Sequence, residues 1–126
     1  MIQVSHVLHE LCTLAPLELQ MSFDNSGLLF GRREQQIHRV LLALDVTQAV
    51  IDEAVDWGAD LIISHHPLIF SPLRSVTDEK LLTLAEHGIA VISMHTNLDI
   101  AEGGVNDVLL RLLGAEPQQA LDPEGC

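Results

Sequence analysis

The residues able to do chemistry in this 126-residue sequence are histidines and carboxylates gathered at a few points. His65 and His66 are adjacent, end an apolar run, and are followed at once by Pro67. His95 and Asp99 lie four apart behind a second apolar run. Imidazole and carboxylate together suit a divalent Zn, Fe, Mn, Ni or Co ion, and the near-absence of thiols leaves that choice open. His65, His66 and Asp99 could supply three ligands from two segments, with Asp99 able to bridge two ions. Two neighbouring ions can activate a water and clamp the leaving atom of a hydrolysed substrate. His95 stays open between a ligand and a partner that orients one, and Asp45 between orienting a ligand and capping the turn after it. Asp24 and Asn25 stand with Gly27 in a turn-forming stretch, 22–31, and either make that turn or join the residues around a ligand. A His-His pair alone reads equally as two half-buried, hydrogen-bonded rings. His6, His9, His38 and His87 read as ordinary boundary or surface histidines. No Ser or Cys has a nucleophile's context, and Gly103-Gly104 is too little for a phosphate-cradling loop.

These residues need a scaffold, and the hydrophobic pattern supplies one. Apolar positions at 2, 4, 7, 8, 11 and 14 form a helical stripe that Ala15-Pro16 ends. From residue 37 the pattern alternates. Short apolar runs at 40–46, 60–64 and 89–94 read as buried strands, and helical stretches follow at 47–57, 77–87 and 105–113. Thr47 suits an N-cap; Gly58, Gly88 and Gly114 suit helix stops. Strands alternating with helices predict an α/β fold, a largely parallel sheet of right-handed βαβ units flanked by helices. Asp45, His65, His66, His95 and Asp99 all follow strands, at the sheet edge where such folds place ligands. That clustering favours a site over a chance pair of histidines.

Composition narrows the class. One domain spans 1–126, with 115–126 expected as tail or linker. The chain is 48% hydrophobic with few aromatics, so Leu, Ile, Val and Ala must build the core. A net charge of −12 argues against nucleic-acid or anionic-membrane partners. No run approaches a membrane span, no basic-apolar leader is evident, and Cys12 and Cys126 make no disulfide framework. A cytoplasmic protein is the expectation.

Several strings resemble the Nif-three-like family, whose members are often described as dinuclear metal centre proteins or homologues of type 2 GTP cyclohydrolase I. They are Leu14-Ala15-Pro16; Asp24-Asn25-x-Gly27-Leu28; Ser64-His65-His66-Pro67-Leu68-Ile69-Phe70; His95-Thr96-Asn97-Leu98-Asp99; and Glu102-Gly103-Gly104-Val105-Asn106-Asp107. The resemblance covers nearly the whole chain. It implies that His65, His66 and Asp99 are metal ligands, that a helix-flanked sheet carries them, and that the protein assembles as a toroidal hexamer. The function implied is a metal-dependent hydrolase of a nucleotide or phosphoester, the alternative being a non-catalytic oligomeric metal-binding scaffold. An Asp-His-His phosphoesterase fits less well, because Ser64 precedes the pair. Phe23 stands where the family usually has Trp. The family's late His-x-x-x-Glu ligands have no counterpart here, so the expectation is a half-length chain with an incomplete site and little turnover.

Overall fold

The computed structural model describes residues 1–115, so the expected tail lies, beyond Ala115, outside the described residues. Four strands, β1 (Gly27–Phe30), β2 (Val40–Ala43), β3 (Leu61–Ser64) and β4 (Ala90–Ser93), form one sheet in the order β1-β4-β3-β2. β2, β3 and β4 are parallel; β1 pairs antiparallel with β4, with a bulge between Leu28 and Phe30. Among the described residues the α-helices are α1 (Val4–Leu14), α2 (Gln48–Trp57), α3 (Glu79–His87), α4 (Thr96–Ile100) and α5 (Val105–Leu112), with a single 3-10 turn at Leu17–Leu19. α2 and α3 are the crossovers of two consecutive βαβ units, as the alternating pattern predicts.

Local chemistry sets the helix ends. The Thr47 hydroxyl accepts the Val50 amide and the Asp78 carboxylate accepts the Lys80 amide, each satisfying an otherwise unpaired first-turn N–H. Gly58 and Gly88 close α2 and α3 in the left-handed conformation. At the start of α1, where Gln3 is the N-cap residue, the His6 ring accepts the Gln3 amide.

Strand alternation divides the core in two. Leu61, Ala90, Ile92 and Met94 pack with Val4 and Leu8 of α1 on one face. Ile62 and Val91 pack with Ile51 and Ala54 of α2 and Leu84 of α3 on the other. β3 and β4 are central strands sealed on both faces, hence their unbroken apolar runs.

Two elements differ from the sequence reading. The 22–31 stretch holds a strand, β1, as well as its turn. Residues 96–100 form a short helix, α4, which the hydrophobic pattern does not mark. A side chain at Gly104 would overlap the Leu98 carbonyl oxygen, so only glycine lets α5 start this close to α4.

Candidate metal centre

The parallel register aligns Ala43 with Ser64 and Ser64 with Ser93, so the three strands end level. Asp45, the histidine pair and His95 therefore leave neighbouring strand ends at one edge of the sheet. There the rings of His65, His66 and His95 form a nearly equilateral triangle, with centroids 5.2, 5.3 and 5.6 Å apart. One ring nitrogen from each lies within 4.8 Å of the others. An ion with metal–nitrogen bonds of about 2.0–2.1 Å could draw these three atoms together.

Hydrogen bonds fix which nitrogen each ring offers. His65 Nδ1 is 2.9 Å from the Met94 carbonyl oxygen, which can only accept, so Nδ1 carries the proton. His66 Nδ1 meets Asp45 Oδ1 at 2.6 Å and His95 Nδ1 meets Asp24 Oδ1 at 2.9 Å. With all three Nδ1 atoms occupied as donors, each neutral ring keeps its lone pair on Nε2. Three such imidazoles are a donor set suited to a borderline divalent cation.

Asp24 is the most elaborately held of these partners. Its side chain is wholly buried. Besides His95 it accepts the Asn25 amide at 2.7 Å, the Thr96 amide at 3.0 Å, the Thr96 hydroxyl and, at 3.3 Å, the Ser26 hydroxyl. Burial by itself would raise the Asp24 pKa; the Thr96 hydroxyl, the His95 ring and the Thr96 and Asn25 amides outweigh it and lower the value to about 2. Asp24 is therefore anionic at neutral pH and holds the His95 proton on Nδ1. The Asn25 side chain turns elsewhere, donating to the Ile69 carbonyl at 2.6 Å and pinning the loop after the histidine pair.

Asp99, on α4, adjoins the triangle through His65, with Oδ1 3.5 Å from His65 Nε2. His95 caps the same helix, and its carbonyl accepts the Asp99 amide. Of the residues singled out from sequence, the structure thus groups His65, His66 and His95 most closely. It sets Asp99 beside His65, Asp45 behind His66, Asp24 behind His95, and Asn25 one step further out. His6, His9, His38 and His87 are outside this group.

A family model described as Duf34/NIF3 (NGG1p interacting factor 3) matches residues 2–126. The chain belongs to this family. It is 45% identical over 114 residues to the GTP cyclohydrolase 1 type 2 homolog of Halalkalibacterium halodurans, matching 86% of this chain and 31% of that protein. It is 44% identical over 106 residues to the protein of the same name from Clostridium perfringens, covering 80% of this chain and 40% of the relative. Among solved Duf34/NIF3-like structures, reduced HcgD from Methanocaldococcus jannaschii superposes with a TM-score of 0.92 at 35% identity, over 98% of this chain and 52% of that one. A Bacillus cereus protein related to NIF3 gives 0.89 at 37% identity, over 98% of this chain and 36% of its own. The chain thus spans about a third to a half of these proteins.

Four polar residues of this site escape a search for ligands, because none of them is one. Thr96 donates its hydroxyl to Asp24 and accepts the Met21 amide at 3.0 Å. Ser64 donates to the His66 carbonyl at 2.8 Å; its single proton spent, it accepts from Ser93, also at 2.8 Å. Asn97, fully buried, donates to the Ala15 carbonyl at 2.9 Å and ties α4 to the end of α1. The available signal was position: Ser64 and Ser93 are hydroxyls closing two buried apolar strands.

Proposed function

We propose that this Duf34/NIF3 chain binds a divalent metal ion through His65, His66 and His95, with Asp99 as a fourth ligand, and that the site serves hydrolysis of a nucleotide or phosphoester. The observation that supports this most is the triangle of imidazoles whose Nδ1 atoms are all engaged, leaving three Nε2 lone pairs. A bound ion there supplies Lewis acidity and a water of lowered pKa. The chain's own groups prepare the site. Asp24, Asp45 and the Met94 carbonyl hold the rings in the ligating tautomer, and Ser64 steadies the backbone at His66. His66 and Asp45 are the exposed members and His65 and His95 the shielded ones, so substrate approaches over His66. The name shared by the curated relatives points to nucleotide hydrolysis; those proteins are much longer, so their activity and assembly come to this chain only within the proposal. A cytoplasmic setting belongs with it, since two cysteines far apart in the sequence make no disulfide framework. Among the described residues no helix is long and apolar enough to cross a membrane.

The test is calorimetric titration of Zn or Mn into the metal-stripped chain, alongside turnover on nucleotides and an aryl phosphate. One site per chain is expected. His66→Ala should weaken it by more than about 100-fold, while His87→Ala, altered on the exposed end of α3, should leave it unchanged. Equal loss in both variants rejects the ligand set. Saturable binding without turnover on any substrate keeps the metal site and rejects the hydrolase.

A further inference from the structure

Strand β1 departs from alternation at its end. Residues two apart in a strand share a face, yet Leu28 packs with the core on the α1 side and Phe30 with the core on the α2 and α3 side. The bulge between them turns Phe30 over. Gly31 follows at φ +102°, and a side chain there would start 2.6 Å from the Ala90 Cβ. Only glycine lets the chain pass β4 this closely.

These two departures frame a cavity of about 440 Å³ between the end of β1 and the end of α3. That volume lies within the roughly 300–1,000 Å³ of small-molecule sites. Phe30, Leu84 and Ile89 give it apolar walls, and two polar side chains meet it, Arg32 and Gln35. Gln35 is fixed. Its Nε2 spends both hydrogens, on the Asp60 carbonyl at 2.9 Å and the Gly88 carbonyl at 2.7 Å. Its Oε1 is therefore an acceptor of set orientation, and it takes no hydrogen bond among the described residues. Arg32 is exposed and makes no ion pair among the described residues. Through Ala85 and Gly88, α3 brings the negative end of a nine-residue helix to the same cavity.

We propose that this cavity binds a small zwitterion, a free α-amino acid with an apolar side chain. Arg32 pairs with the carboxylate. Gln35 Oε1 and the carboxyl end of α3 take the ammonium. Phe30, Leu84 and Ile89 cover the side chain. Two poles of opposite sign beside an apolar wall suit a ligand that carries both charges and an apolar body. A phosphate suits them less: one guanidinium faces it, the helix end repels it, and a net charge of −12 disfavours any multiply charged anion. A plain hydrocarbon would strip water from Arg32 and Gln35 and offer neither a partner. The cavity lies before β4 and His95 follows β4, so four residues of strand, roughly 13 Å, separate it from the histidines. Its occupancy is independent of the metal centre.

Titration of L-leucine into the 126-residue chain, followed by backbone amide chemical shifts, tests this. Chelator is present throughout, because an amino acid would otherwise report on a bound ion. Saturable shifts are expected at Gly31, Arg32, Gln35 and Gly88, with His66 and Asp99 unmoved and a Kd on the order of 0.1–1 mM. N-acetyl-L-leucine lacks the ammonium and L-leucinamide the carboxylate, and each should bind about 10-fold more weakly or worse. Glycine, without the apolar side chain, should lose as much. Arg32→Ala removes the carboxylate's partner, and Ala85→Phe fills the cavity from α3. Either should weaken L-leucine by about 10-fold or more. Both replaced side chains are exposed, so far-UV circular dichroism should stay unchanged. No saturable shift up to about 10 mM, equal binding of the acetylated or amidated compound, unchanged binding in either variant, or shifts centred on the histidines overturns the proposal. Inorganic phosphate that moves the same amides at lower concentration would make the cavity an anion site and overturn it equally.

Discussion

Two of the site's histidines lean on a carboxylate through Nδ1, yet the two pairs are physically different objects. Asp45 and His66 meet at 2.6 Å with both side chains about half exposed. Asp24 and His95 meet at 2.9 Å with the carboxylate wholly buried and four further donations converging on it from Asn25, Ser26 and Thr96. The shorter contact is the weaker support. Water competes for an exposed pair and its side chains pay ordering entropy, so it contributes at most about 1 kcal/mol. A buried carboxylate cannot be removed without orphaning every group that donates to it. A contact's distance therefore says less about its worth than its surroundings do.

The largest expected effect follows from breaking the buried pair. Asp24→Ala strands the His95 ring N–H, two amides and two hydroxyls, and should lower stability to urea by about 3–5 kcal/mol. Full recovery of wild-type stability in this variant would mean that water replaces the carboxylate at no cost. The same residue governs acid sensitivity. Its folded pKa of about 2 lies below the unfolded value near 3.9, so its contribution is complete above the unfolded value and is lost as pH falls towards the folded one. Asp60, lowered despite its burial by the Arg39 and His38 amides, acts in the same direction. Urea midpoints between pH 5 and pH 2 should thus fall steeply in the wild type and less steeply in Asp24→Asn. Equal slopes would refute the assignment.

The smallest effect belongs to the exposed pair. Asp45→Asn should change stability by under about 1 kcal/mol while weakening the proposed metal site by roughly 10-fold. The amide can still accept from Nδ1, though without the charge that strengthens ligand basicity. Calorimetry and urea titration on one preparation read both numbers. A loss of several kcal/mol would erase the distinction between the pairs.

Much of the scaffold is legible in the sequence because it is locally encoded. Thr47, Gly58 and Gly88 mark helix ends by their own backbone preferences, and the runs feeding β3 and β4 are apolar without interruption. β1 is not legible. It is four residues long, sits among Asp24, Asn25 and Gly27, and exists because β4 lies beside it, a partner more than sixty residues away. In the site, the His65-His66 pair is plain from its place at a strand end. The relation between His95 and Asp99 is not, because it depends on α4. His95 precedes that helix with φ −107° and ψ −111°, outside helical geometry, and its ring joins the other two histidines. Asp99 follows within the helix and meets the group at His65. A spacing of four cannot distinguish these roles. Asp24 reads as a turn residue from its neighbours, because the groups that make it more than that come from residues 95 and 96.

That long reach bears on how the molecule assembles. The two βαβ units join segments near one another along the chain, and loop-closure entropy lets such contacts form early. The links from Asp24 to His95 and Thr96 and from Asn25 to Ile69 span 71, 72 and 44 residues. They reward the chain only once β1 has docked on β4. The hold of Asp24 on His95 and Thr96 is then expected to form late, after the sheet has closed on its three parallel strands. Changes at Asp24 consequently fall on the rate of unfolding rather than the rate of folding, and the lifetime of the folded chain rests on the region that also positions His95.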